Sequence, residues 1–237
     1  MSKLVEVRWA VGRTVRMAAR RATDPARIRR YAATHDVPKL QIGAGPNILP
    51  GWLNTDLLPD FYPEHRRRVV RLDALKPFPF ADASFDYVFS EHQIEHVTEP
   101  EARRLVAECY RVLRPGGRIR IATPDLAAIV RLYHGELSTS EEEYIEWVLE
   151  RFHPGVRSGN RTCYVVNQML NGHGHRFVYD ETTLAALLVG AGFGGSRRFA
   201  PGESDDPELR GLEAHGRAIG SEAANRVETM VLEAVRS

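Results

Sequence analysis

In SEHQIEHV, residues 90–97, Glu91, His92, Glu95 and His96 place carboxylates and imidazoles together on one short stretch. A second stretch, NGHGHRFVYD, sets His173 and His175 two apart, where an extended chain projects both from the same side. Imidazole exchanges a proton near neutral pH, so either stretch suits deprotonation of a reacting hydroxyl. His92 and Glu91 are the first candidates for that base, and His173 and His175 are their competitors. His92-x-x-Glu95-His96 also matches the spacing of an inverted zinc-peptidase motif. That motif needs one helix through both histidines and a third protein ligand. Here His92 follows at once on the strand-like run Phe85–Phe89, which disfavours zinc hydrolysis. His173 and His175 could hold a divalent ion with Asp125 or Glu91, but no carboxylate spacing demands a metal. His96 reads as a packing residue on a helix face.

A binding turn stands upstream. KLQIGAGPNILPGWLNTDLLPD carries Gly43 and Gly45, but the third glycine of a dinucleotide fingerprint would fall at Ile48. Glycine lets backbone turn sharply and approach a ligand closely. The third glycine serves packing under a pyrophosphate, so its absence argues against a nicotinamide cofactor. Asp56 follows Gly45 far sooner than the ~20 residues of the dinucleotide fold. At a strand end, such a carboxylate can accept from both hydroxyls of a ribose, and Asp73 in VVRLDAL ends the next strand in the same way.

These residues need a parallel sheet to bring them together. Short apolar runs predict strands at Lys39–Ile42, Trp52–Asp56, Arg68–Leu72, Phe85–Phe89 and Arg118–Ala122, with a late pair at Gly195–Phe199 and Glu228–Ala234. Helices are predicted at Pro100–Leu113, ended by the turn Arg114-Pro115-Gly116-Gly117, at Ser140–Arg151 and at Thr183–Ala191. The result is an α/β, Rossmann-like doubly wound sheet. Residues 134–176 form an insertion, read as a glycine-hinged lid and acceptor pocket.

The 237 residues fit one α/β domain with a small appendage. Apolar content of 43% and a net charge of +1 describe an ordinary globule and give no argument for nucleic acid. Cys109 and Cys163 are too few for a disulfide framework, no apolar run reaches bilayer length, and no signal peptide is legible, so a cytoplasmic protein is expected. Residues 1–38 are rich in arginine around the apolar stripe Leu4, Val7, Val11, Val15 and Ala18. They predict a basic helical arm, broken near Asp24-Pro25, that packs on the domain or on a second subunit of a homodimer. Weak contact with anionic lipid is the alternative for that surface. The acidic stretch ESDDPELRGLEAHG reads as a solvated crossover or dimer contact.

The blocks LQIGAGPNILPGWLNTDL, LKPFPFADASFDYVFSEHQIEHV, ECYRVLRPGGRIRIATPDL and FVYDETTLAALLVGAGF occur in that order. Together they resemble the class I S-adenosylmethionine-dependent methyltransferases, most closely a bacterial group opening G-x-G-P-N…G-W-x-N-x-D. The resemblance covers residues 39 to about 199 and makes 39–237 the methyltransferase domain. It implies a seven-stranded sheet whose last strand is antiparallel. It further implies that Gly43, Ala44, Gly45 and Asn47 approach the methionine part of the cofactor, that Asp56 holds its ribose, and that Asp73 and Ala74 hold its adenine. Ser90 and Glu91 would then lie near the sulfonium. No N-P-P-Y type motif stands at the fourth strand, so a hydroxyl acceptor is expected ahead of an amine. The resemblance is to enzymes of carbohydrate-modifying systems, which points to an oligosaccharide, glycolipid or other small-molecule acceptor.

Overall fold

A computed structural model describes residue 20, residues 23–156 and residues 159–237. The apolar stripe from Leu4 to Ala18 lies outside the described residues. Helix α1 covers residues 23–34 and runs through Asp24 and Pro25, where the sequence suggested a break. It docks on the domain through polar contacts. Arg27 donates to the carbonyls of Val69 and Arg67, and the Asp24 carboxylate accepts from Arg71 N. Ile28 and Tyr31 pack against the main core.

Seven strands form one sheet in the order β3-β2-β1-β4-β5-β7-β6. The strands are β1 (Lys39–Ile42), β2 (Leu53–Asp56), β3 (Val70–Arg71), β4 (Phe85–Glu91), β5 (Leu113–Pro124), β6 (Arg197–Phe199) and β7 (Thr229–Val235). Strands β1 to β5 pair in parallel, while β7 runs antiparallel to both β5 and β6. The expected seven-stranded sheet with an antiparallel last strand is therefore present. Strand β3 is shorter than Arg68–Leu72 suggested: the Arg68 amide closes a turn onto the His65 carbonyl, and the Val69 carbonyl accepts from Arg20 and Arg27.

Helix α2 (Glu99–Val112) begins at a capping box in which Glu101 reaches back to Thr98 N, 2.8 Å away. Its Ala102, Leu105, Val106, Cys109 and Val112 recur at helical spacing and bury against the sheet. The Arg114–Gly117 stretch does not end this helix as a free turn. The chain passes from Val112 directly into β5, and the pairing with β4 slips there, from Phe85↔Leu113 to Tyr87↔Arg118. Gly116, at φ +80, permits this local bulge.

Helices α3 (Leu126–His134), α4 (Thr139–Phe152), α5 (Arg161–Asn171) and α8 (Glu222–Glu228) surround a second core of Ile129, Tyr144, Val148, Val165, Met169 and Ala224. The 134–176 segment thus holds α4 as expected and also α5, which starts at an Asn160 cap. Helix α6 (Glu181–Gly190) returns to the main core, and α7 (His215–Ile219) is a short turn before α8. No helix among the described residues is long and apolar enough to cross a membrane.

One face of the sheet is covered by chain with little regular structure, residues 203–215. Tyr87 donates to Asp206 at 3.0 Å, and Phe89 joins Trp52, Leu209 and Leu212 in an apolar patch. The Arg120 guanidinium, fully buried, donates to Glu213 at 2.6 Å, to Glu233 and to the Glu203 carbonyl. The acidic stretch is thus a crossover packed through Asp206, Leu209, Leu212 and Glu213, with Glu203, Asp205 and Glu208 exposed.

Removing one member of a buried ionic cluster leaves charge without a partner and costs about 3–5 kcal/mol. Arg120→Met should accordingly lower the urea midpoint and Tm strongly, with partial recovery when Glu213→Gln and Glu233→Gln are added. A second expectation concerns acid. Hydrogen bonds from Arg111 hold Glu108 below its ordinary value of 4.5. The folded state therefore binds this proton less readily than the unfolded chain. Its contribution is complete above pH 4.5 and fades as pH falls through the lower folded value, so Glu108→Gln should flatten the acid limb of stability against pH.

Candidate active site

The strand order reverses between β1 and β4, and the crevice of a doubly wound sheet lies there, beyond the carboxyl ends of the strands. Gly43 and Gly45, directly after β1, have φ of +69 and +51, a region that side chains with a Cβ rarely adopt. A Cβ on Gly43 would stand 2.8 Å from Gln93 Cγ. Asp56 closes β2. Its Oδ2 accepts from Gly45 N at 3.0 Å and its Oδ1 from Leu58 N at 2.7 Å, which fixes the carboxylate and leaves a lone pair on each oxygen. Beyond β3, Asp73 Oδ1 accepts from Leu75 N, with Ala74 packed half-buried against the main core. Ser90 Oγ and Gln93 Oε1 are buried around this turn with no hydrogen-bond partner among the described residues. Ala44 is also buried, its amide donating to Thr55 O.

Asn47 and Glu91 serve a different purpose at the same crevice. The Asn47 amide donates to the Leu212 carbonyl at 2.9 Å and to Glu91. The Glu91 carboxylate accepts from Ala214 N and His215 N at 2.8 to 3.0 Å. Glu91 therefore anchors the crossover that leads into α7, and its oxygens do not face an open space as a free base would.

The histidines converge on a second space. A cavity of about 350 Å³ lies between the β4 end and α4, α5 and α8, and His92, His96, His173, His175 and His215 all line it. His92 sits at φ +46, an uncommon backbone for a residue with a Cβ, and its ring is clamped on both sides. Nδ1 lies 3.1 Å from Glu95 Oε1, an acceptor, and Nε2 lies 3.1 Å from Thr229 Oγ1. Thr229 gives its own hydrogen to Asn225, so both His92 nitrogens face acceptors, an arrangement that favours the charged ring. Burial works against that charge, but the hydrogen bond and charge of Glu95, with Glu228 and Glu91 behind, hold His92 above its ordinary value. For fully buried Glu95 the same pairing outweighs burial and lowers it. Both ring nitrogens of His92 are thus engaged by neighbouring side chains.

His215 stacks on His92, with ring centroids 3.7 Å apart. Its Nε2 donates to Glu228 Oε1 at 3.0 Å, and Tyr144 fixes the other Glu228 oxygen at 2.8 Å. Burial opposes the Glu228 charge, yet the bond from His215 and the charge on His92 keep it below its ordinary value. Nδ1 of His215 has no partner among the described residues. His175 directs Nδ1 at the Met169 carbonyl, and His173 Nε2 meets the Gln168 amide. Burial, the largest effect on each, lowers both below the ordinary histidine value.

His92, His173 and His175 are thus brought together, as their chemistry suggested, while Glu91 is set apart. Asp125 is also removed from any ion, since it caps α3 and pairs with Arg198 at 2.8 Å. Three residues were missed. His215, Glu228 and Tyr144 reach the cavity from α7, α8 and α4, and no local spacing links them to residues 90–97. The one available signal was His215 within an otherwise acidic run.

A family profile described as a methyltransferase domain matches residues 52–121, which span β2 through most of β5. Over 64 residues the chain is 41% identical to a probable S-adenosylmethionine-dependent methyltransferase of Mycolicibacterium smegmatis, covering 25% of this chain and 24% of that protein. It is 43% identical over 44 residues to phosphoethanolamine N-methyltransferase 2 of Caenorhabditis elegans, covering 19% of this chain and 10% of the other. The matches thus span a quarter or less of these relatives. Among solved structures, a SAM-dependent methyltransferase from Archaeoglobus fulgidus is similar at 17% identity and a TM-score of 0.49, covering 92% of this chain and 94% of that one.

Hydrogen bonds to a carboxylate are each worth about 1.5–3 kcal/mol. Glu91→Ala should therefore raise amide exchange at Ala214 and His215 by on the order of 10-fold or more, while α2 amides stay protected.

Proposed function

We propose that this chain is an S-adenosylmethionine-dependent methyltransferase that methylates a hydroxyl of a small acceptor bearing an apolar face. The observation that carries this reading is the adjacency of two spaces at the end of β4. One is a bare-backbone crevice closed by Asp56, and the other is the cavity lined by His92 and His215.

The residues present fit the cofactor. Gly43 and Gly45 leave room for backbone approach to its methionine part, and the two remaining lone pairs of Asp56 suit ribose hydroxyls. Ser90 Oγ and Gln93 Oε1 are orphaned buried atoms beside that turn, a cost that a polar ligand would offset. Asp73 and Ala74, just beyond β3, are assigned to the adenine. When bound, S-adenosylmethionine supplies an electrophilic methyl group on a sulfonium.

The chain's own work lies in orienting the acceptor and taking up its proton. Trp147, Val148, Phe152, Val165, Met169 and Ile219 are among the residues that line the cavity, an apolar share that favours an apolar face over an unsubstituted sugar. A phenol or glycolipid fits this lining. We assign His215 Nδ1 as the proton acceptor. Glu228 holds the opposite ring nitrogen and so fixes the tautomer, as a carboxylate does behind a catalytic histidine. Tyr144 in turn orients Glu228, and the His92 cation beneath the ring stabilises charge that develops on the acceptor oxygen.

The test couples cofactor consumption with product mass, screened over phenols, glycolipids, free sugars and amines. O-methylated product from an apolar-faced acceptor is expected; turnover confined to amines would sink the assignment. His215→Gln should lower kcat by about 10²–10⁴-fold, the usual worth of general base catalysis, with S-adenosylhomocysteine affinity unchanged. Asp56→Asn should show the reverse pattern, weakening S-adenosylhomocysteine binding in calorimetry while leaving the fold intact.

A further inference from the structure

We propose that Glu95, His96 and His175 form a site for a divalent transition-metal ion at the histidine-lined cavity. One ligand atom from each of the three lies within 4.8 Å of the others. Metal bonds of about 2.0–2.2 Å to each would draw these atoms closer together, which a rotation of the exposed His96 ring can supply. His96 makes no side-chain hydrogen bond among the described residues, and its ring meets that of His175 edge to face at 5.0 Å.

The supports behind the three residues are those that a metal centre needs. His175 turns Nδ1 to the Met169 carbonyl, which directs Nε2 outward as the free ligand atom. Metal-bound histidines are characteristically held this way through the second nitrogen. Each Glu95 oxygen is pinned by one donor, Oε1 by His92 and Oε2 by Thr123 at 3.1 Å, and each keeps a further lone pair. The loop that follows α5 and the Ile94–His96 turn therefore deliver preset ligands from separate parts of the chain.

Two imidazoles and one carboxylate select zinc, cobalt or nickel over magnesium or calcium, which favour all-oxygen shells. Three protein ligands leave coordination positions for a solvent molecule or an acceptor oxygen in the cavity. The set differs from the inverted peptidase motif that shares Glu95 and His96. His92 lends its nitrogens to Glu95 and Thr229 and does not ligate, and His175 takes its place. The proposal stands apart from the methyl-transfer reading, because metal binding can be measured with neither cofactor nor acceptor.

The experiment uses chelator-treated full chain titrated with Co²⁺, read by visible d–d absorption, with elemental analysis for stoichiometry. One equivalent is expected, with a rise in Tm, and Zn²⁺ should displace the colour. His96→Gln and His175→Gln should each weaken Co²⁺ binding by about 100-fold or more, judged against the 10–100-fold typical of mere supporting partners. His173→Gln should leave it within a few-fold. S-adenosylhomocysteine-independent melting curves establish that each variant folds. Absence of Co²⁺ absorption in the parent chain, or undiminished binding in a folded His96→Gln, His175→Gln double variant, overturns the proposal.

Discussion

Everything at the cavity depends on one buried cation, Arg120. It projects from the middle of β5 on the same face as Phe89, its β4 partner, and Glu233, its β7 partner. A guanidinium out of water needs matched acceptors, and Glu213, Glu233 and the Glu203 carbonyl meet its Nε and Nη1, while Nη2 has no partner among the described residues. Two of those acceptors belong to the crossover. The segment is therefore drawn onto the sheet by charge as well as by the burial of Leu209 and Leu212. Glu213 is followed directly by Ala214 and His215, whose amides meet Glu91, and the His215 ring stacks on His92. A sheet residue is thus tied through adjacent chain to an imidazole in the cavity.

The same economy explains why carboxylates outnumber open acceptor sites there. Glu91, Glu95 and Glu228 all stand near the β4 end, a placement that would be costly for three bare charges. Each is bound to donors: Glu91 to backbone amides, Glu95 to His92 and Thr123, Glu228 to His215 and Tyr144. Ring nitrogens of histidine, such as His215 Nδ1, remain uncommitted among the described residues at the surface of the space.

The sheet was legible because its evidence is local. Short apolar runs mark the strands, and Gly43, Gly45, Asp56 and Asp73 fall at or just beyond strand ends. The shortfalls are equally physical. The Arg114–Gly117 turn has the composition of a helix stop, but the register slip it makes inside β5 depends on pairing with β4. Helix α5 has a weakly apolar sequence and is held by packing against α3 and α4, which no window of sequence displays. His215, Glu228 and Tyr144 come from three elements far from residue 92 in the chain, and only the folded crossover unites them. Glu91 shows the converse case, in which a residue of the right type at the right strand end is spent on tying down another segment.

His92 carries one more implication, through its backbone. At φ +46 it occupies a region that costs a residue with a Cβ on the order of 1–3 kcal/mol, while glycine enters it freely and asparagine or aspartate at a discount. Random drift at this codon would therefore be pulled toward those three residues by folding alone. None of them can give hydrogens to Glu95 and Thr229 at once and lie flat under His215. At position 92 the backbone and the contacts of the ring thus favour different amino acids.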